Sequence, residues 1–183
     1  MQDFTSLTDG VILLRPPRPD EAEAMHAALE ESRGEVPVWL PETDGLTLDD
    51  VREFLAAGPR MWQDSSAFHF GIFDPHTGRY LGGCGLTQVN LRHRVCNAYY
   101  WVRSSETGRG VAGRAARLMA RFAFDQLQMQ RMEIVAEVEN VPSIRVAEKA
   151  GAVREGLLRN RLNNRGEPRD AVLFSLIPSD LSE

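Results

Sequence analysis

The spacing of apolar positions changes along this chain, and each change marks an element. Val11 to Arg15 is β-branched and aliphatic, a short strand ended by Pro16-Pro17. Helical spacing follows. Asp20, with Glu23 three residues on, opens a helix over roughly 20–33, which Gly34 stops. Val36 to Gly45 reads as a loop holding Pro37, Trp39, Leu40 and Pro41. Thr47 with Asp50 opens a second helix. Gly58-Pro59 should end or kink it, with Met61 and Trp62 in a further turn.

The rhythm then shortens to strands. Phe68–Phe73 and Tyr80–Val89 flank Asp74-Pro75-His76-Thr77-Gly78, a hairpin turn with Pro and Gly where a turn wants them. Cys96–Arg103 is a third strand, rich in aromatic residues at Tyr99, Tyr100 and Trp101. A glycine loop and a helix of about 17 residues come next, then a β-branched strand over 131–138. Pro142 and Gly151 frame a short helix. Two last strands, 153–162 and 169–177, are joined by Asn163-Asn164-Arg165-Gly166.

In order this is β-α-α-β-β-β-α-β-α-β-β, an α/β domain on a mixed sheet. With 183 residues the chain is taken as a single domain, 1–183. The 96–138 portion forms one βαβ crossover with parallel strands, and ligands favour the carboxyl ends of such strands. A hydrophobic content of 43% and a charged content of 26% are ordinary for a soluble globular protein. No apolar run approaches bilayer length, and Met1-Gln2-Asp3-Phe4 does not begin a leader. Cys84 and Cys96 lack metal-ligand spacing and read as reduced thiols, so a cytoplasmic protein with neither metal nor membrane partner is expected.

The net charge of −5 speaks against nucleic acid, but its distribution is uneven. Residues 1–50 carry twelve Asp/Glu against three Arg, while residues 101–170 carry twelve Arg and Lys149 against nine Asp/Glu. Such a division suits a polyanionic cofactor on one side and a cationic substrate on the other, and equally suits unevenly charged solvated faces.

Gly108-x-Gly110-x-x-Gly113 matches the dinucleotide fingerprint, and the run to Arg114-Ala115 nearly spells a P-loop. Both labels fail. Arg114 replaces the phosphate-reaching Lys, and Ala115 has no hydroxyl for magnesium. The dinucleotide fingerprint needs a strand running almost to its first glycine, whereas Arg103-Ser104-Ser105-Glu106-Thr107 intervenes. What remains is physical. Glycines let successive N–H groups converge on a helix N-terminus that favours a phosphate.

Further features narrow the reading. The loop reads Thr107-x-x-Gly110-x-Ala112, and Asn140-x-x-Ser143 is followed by Ala147-Glu148-Lys149-x-Gly151. Tyr100-Trp101 precede the loop, and Arg15 leads into a Pro-rich turn and a helix. This set resembles the GNAT superfamily of N-acetyltransferases, in its RimJ/RimL-like branch, strongest over 100–156. Thr107 stands where the family has Arg or Gln. The resemblance implies a mixed, mostly antiparallel sheet with a central parallel crossover and flanking helices, and acetyl-CoA as donor. It also implies that the backbone from Gly108 through Arg109, Gly110, Val111 and Ala112 holds the pyrophosphate. The pantetheine would pair with backbone near Trp101-Val102-Arg103, in a gap between the strands before and after the loop. Asn140 would bond the pantetheine arm, with Ser143 near the thioester sulfur. Family members are often dimers, so a homodimer is implied.

Acetyl transfer needs a neutral amine, a polarised carbonyl and a proton for the departing thiolate. Ser143 is the candidate donor to the thiolate, and a helix cap is the alternative role for both Ser143 and Asn140. The branch's carboxylate on the penultimate strand is missing from Arg159-Asn160-Arg161-Leu162-Asn163, so the base is open. Glu106, Glu137, Glu139 and His69 read as structural or surface residues. Trp39 and Tyr100 are candidate walls of the acceptor site, although strand alternation permits only one of Tyr99 and Tyr100 on that face. The expected acceptor is a protein N-terminal amine. A small-molecule amine is the alternative, as is a non-catalytic acyl-CoA-binding module.

Overall fold

A computed structural model describes residues 6–181, so the Met1–Phe4 segment read above lies outside the described residues. Eight strands form one sheet: β1 (Leu7–Thr8), β2 (Leu13–Arg15), β3 (Phe68–Phe73), β4 (Tyr80–Asn90), β5 (Val95–Val102), β6 (Arg131–Glu137), β7 (Val153–Asn164) and β8 (Glu167–Leu176). Their order is β1-β2-β3-β4-β5-β6-β8-β7. All neighbours are antiparallel except β5 and β6. The helices are α1 (Ala22–Glu31), α2 (Val36–Trp39), α3 (Leu48–Gln63), α4 (Val111–Arg121) and α5 (Val141–Lys149). This is the expected mixed, mostly antiparallel α/β architecture, with β5-α4-β6 as its parallel crossover.

Alternation along the strands divides the core into two layers. Phe68, Phe70, Ile72, Cys84, Leu86, Cys96, Ala98 and Ile134 pack with Ala115, Leu118 and Met119 of α4. On the other face Phe73, Tyr80 and Trp101 pack with Met25 and Leu29 of α1 and Val51 and Leu55 of α3. Complete burial of a side chain such as Phe70 or Leu86 stabilises the fold by roughly 1.5–3 kcal/mol.

Four local readings need correction. β1 was not foreseen: two residues carry no period, and its turn is held by Asp9 Oδ1, which accepts from the N–H groups of Val11 and Ile12, both at 3.0 Å. The expected loop at 36–45 contains α2 and a 3₁₀ turn at Pro41–Thr43, because Pro is tolerated in a first turn. α3 runs through Pro59 to Gln63, and Trp62 beyond the proline packs against Phe68 and Phe70 at ring distances of 5.0 and 5.1 Å. At the start of α1 the carboxylate that caps is Glu21, which accepts from Arg18 N–H at 2.7 Å, rather than Glu23. The foreseen Thr47–Asp50 box is present, with bonds of 2.8 and 3.2 Å. α4 passes without a break into a π turn over Phe122–Gln126, so the expected long helix is present with its last turn widened. The last hairpin turns on Arg165 and Gly166, at φ of 54° and 87°.

Candidate active site

β5 and β6 pair only from Val95↔Arg131 to Ala98↔Ile134. Beyond that point Tyr99 to Val102 pair with β4 alone, and Val135 to Glu137 with β8 alone. The two parallel strands therefore part in mid-sheet. A cleft of about 1660 Å³ passes between them and opens on both faces. Its edges carry backbone N–H and C=O groups that no neighbouring strand takes up, which need partners.

On the α4 face the loop after β5 turns into α4. Gly110, the N-cap, sits at φ 80°, a left-handed conformation that costs other residues roughly 1–2 kcal/mol. The first intrahelical bond runs from Arg114 N–H to the Gly110 carbonyl at 3.1 Å. The N–H groups of Val111, Ala112 and Gly113 thus stand free of intrahelical partners, and these residues line the cleft with Thr107, Gly108 and Gly110. Glu106, 6% exposed and itself bordering the cleft, anchors the loop through Arg79 at 2.7 Å and Arg109 at 3.3 Å.

Asn140 caps α5: its Oδ1 accepts from Ser143 N–H at 3.1 Å. The Tyr100 hydroxyl lies 3.1 Å from both Ser143 Oγ and the Ser143 carbonyl. Burial pushes the Tyr100 phenol up to about 12, against the pull of Ser143, so it stays protonated. Ser143, Asn140, Tyr100, Trp101 and Val102 all border the cleft. Arg103 and Arg109 do not, because Glu31 (2.7 Å) and Glu106 hold their guanidinium groups elsewhere.

Trp39 and Tyr100, expected to share a wall, lie on opposite faces. Trp39 borders the cleft with Val38, Leu40, Phe54 and Tyr99, on the α1–α3 side. There the Tyr99 hydroxyl meets His69 Nδ1 at 2.7 Å. The register explains the meeting: His69 pairs with Gly85, and Gly85 with Tyr99, in one row across β3, β4 and β5. A Cβ on Gly85 would fall 2.8 Å from the Tyr99 ring and 3.1 Å from His69 Nδ1. Only glycine leaves room for the pair, and a glycine inside a strand was the one sequence signal for it.

Glu137, 7% exposed, is a second residue on this side whose setting the sequence did not reveal. Its carboxylate accepts from Asn164 Nδ2 at 2.7 Å, and Asn164 also donates to the Val38 carbonyl at 2.9 Å, tying the β7–β8 hairpin to α2. Charge is divided around the cleft. Arg114, Arg117, Arg121, Arg145 and Lys149, with Asp9 and the loop's Glu106, line its α4–α5 side, and Glu35, Glu42, Asp50 and Glu137 line the other, together with Arg161. Asp9 pairs with Arg114 at 2.7 Å. Cys84 and Cys96 are free and buried, and burial raises both thiols, Cys96 to about 12. Neither supplies a thiolate near neutral pH.

A family model for the acetyltransferase (GNAT) domain matches residues 12–153. YdaF of Bacillus subtilis (strain 168), provisionally named a ribosomal N-acetyltransferase, is 26% identical over 176 residues, 95% of either chain. Spermidine N(1)-acetyltransferase of Escherichia coli (strain K12) is 27% identical over 95 residues, 52% of this chain and 51% of that one. Among solved structures, Mycobacterium smegmatis RimJ in complex with CoA-disulfide superposes with a TM-score of 0.87 at 26% identity, over 98% of this chain and 89% of that one. Acetyltransferases of this family use acetyl-CoA as their donor. With its domain match, its sheet parted at the parallel pair and its glycine-loop helix start, the chain belongs to the GNAT acetyltransferases, in the RimJ/RimL-like branch.

Proposed function

We propose that the protein transfers the acetyl group of acetyl-CoA directly to a primary amine, and that the amine is the N-terminal α-amine of a protein or peptide. One observation carries the reading: the cleft runs through the sheet, with free helix-start amides and arginines at one mouth and carboxylates at the other. A polyanionic donor and a cationic acceptor thus enter from opposite faces and meet where β5 leaves β6. The likeness to YdaF and RimJ over almost the whole chain favours a protein N-terminus. A small polyamine is the second reading, favoured by the acidic mouth and the partial match to a spermidine acetyltransferase.

Acetyl-CoA, when bound, supplies an acyl group activated as a thioester. The amides from Gly108 to Ala112, with that of Arg109 contributing backbone only, hold its pyrophosphate. The open edge of Trp101, Val102 and Arg103 pairs with the pantetheine, and an N–H at Val102 polarises the carbonyl. Asn140 spends its oxygen on the α5 cap, leaving its amide NH₂ for the pantetheine arm. Ser143 donates its hydroxyl proton to the departing sulfur and recovers one from solvent in the cleft, while Tyr100 stays protonated and orients Ser143. Trp39 walls the acceptor. We further read residues 1–183 as one domain that works in the cytoplasm as a homodimer, without nucleic acid or membrane.

The test is CoA-thiol release from acetyl-CoA with N-terminally varied peptides and, separately, with small amines. Release with peptides supports the reading. Release with small amines alone replaces it by the second, and silence on both panels defeats acetyl transfer.

A further inference from the structure

We infer that Tyr99 and His69 form the relay that takes the proton from the acceptor amine and discharges it through a second cavity. The inference rests on the acetyl-transfer reading above. Tyr99 is the first β5 residue past the last β5–β6 pair, so its side chain stands where the strands part. It faces away from the Tyr100–Ser143 hydroxyls, on the carboxylate-lined side. Its hydroxyl reaches His69 Nδ1 at 2.7 Å over the bare backbone of Gly85. His69 borders two spaces. One is the main cleft, and the other is a cavity of about 320 Å³ behind it, bounded by Arg15, Pro17, Phe54, Leu55 and Pro59.

An α-amine, with an ordinary pKa of about 7.7–8.0, or an alkylamine near 10.4, reaches the cleft largely as an ammonium and cannot attack. The Tyr99 oxygen accepts a proton from the ammonium while its own O–H proton passes to His69 Nδ1. The amine's lone pair is then free to bond the thioester carbon. The imidazolium releases its Nε2 proton to solvent in the second cavity, and the pair is reset once the ring returns, by proton exchange with that solvent, to the tautomer that carries its proton on Nε2. Burial lowers His69 below the ordinary imidazole range and raises the Tyr99 phenol, so the ring is neutral and ready to accept, and the phenol passes a proton on rather than resting ionised. Among the described residues the charged neighbours are Asp50 and Glu42 in the main cleft, and Arg15 and Arg18, both paired with Glu21, at the second cavity. Among the described residues Phe54, Leu55 and Trp62 of α3 bring none, and β4 brings Gly85 together with Tyr80 and Cys84, whose burial keeps both protonated. With both guanidinium groups on the exit side paired to Glu21, it is burial of the ring that disfavours a lasting imidazolium and drives the reset.

His69→Gln and Tyr99→Phe test the relay, with acetyl-CoA and three probe acceptors: serine- and alanine-initiated hexapeptides and spermidine. With whichever probe the unaltered protein acetylates, each variant should lose about 10²-fold in kcat/KM for the amine at pH 7. Affinity for acetyl-CoA should not change. The loss should shrink as pH rises past the amine's own pKa, because the amine then arrives neutral. A loss that does not change with pH, or no loss at pH 7, overturns the relay. Turnover of none of the three probes defeats the acetyl-transfer reading instead, and ring-nitrogen NMR then judges the pair. A His69 ring charged at pH 7, or Nδ1 signals unmoved by Tyr99→Phe, overturns it without any reaction.

Discussion

Two consecutive tyrosines do opposite work because a strand alternates. Tyr100 turns toward α5 and bonds Ser143, while Tyr99 turns to the other face and bonds His69. If Ser143 protonates the departing sulfur, Ser143→Ala should lower kcat about 10²-fold with little change in KM for acetyl-CoA. An unchanged kcat in steady-state assays would end that role. Tyr100→Phe keeps the ring and removes the second hydroxyl, so its loss should be the smaller of the two. The cysteines offer a separate check at this scale. Both thiols are buried and raised, so iodoacetamide at pH 7.5 should leave Cys84 and Cys96 unlabelled by mass spectrometry unless the chain is first unfolded.

At the level of elements, the loop-to-α4 junction and the α3 start are independent devices. Gly110→Val forces a β-branched residue to φ 80° and misdirects the amides of α4. It should weaken acetyl-CoA binding at least tenfold by calorimetry, and undiminished affinity would refute the pyrophosphate assignment. Thr47→Ala removes only a cap, since Thr47 and Asp50 satisfy each other's N–H groups. It should cost about 1 kcal/mol in urea unfolding and leave kcat alone. Both devices were legible in the sequence because each is closed within four residues. α2 was not, because four residues are too few to show a period and Pro37 and Pro41 disguise them.

For the whole molecule, pH acts through carboxylates that the fold holds ionised. The Arg131 guanidinium beside Glu155, with the Ser175 hydroxyl, holds that carboxyl at about 2, against an ordinary 4.5. The group is depressed, so its stabilisation is present above pH 4.5 and is lost as pH falls from there toward 2. The pair is solvent-screened, so the contribution is at most about 1 kcal/mol. Glu155→Gln should lower the melting temperature slightly at pH 7, and the difference should vanish near pH 2. A difference independent of pH would show that the pair contributes nothing. The divided charge of the cleft acts at longer range, and acetyl-CoA affinity should fall as salt screens the arginine-lined mouth.

What the sequence by itself determined were the features that short-range chemistry closes. They are the strand and helix order, the glycine loop with its helix start, the Asn140–Ser143 cap, the parallel crossover, and through their combination the family. The uneven charge was visible too, but its arrangement about one cleft was not. Tertiary structure decided whatever depends on register between strands far apart in the chain. Only the pairing of β3, β4 and β5 sets His69 and Tyr99 in one row, thirty residues apart, over a glycine that leaves them space. Only the parting of β5 from β6 after Ala98 and Ile134 decides which side of Tyr99 and Tyr100 meets which mouth. Local propensity is blind to both, because a register is fixed by the packing of whole faces and not by any residue along the strand.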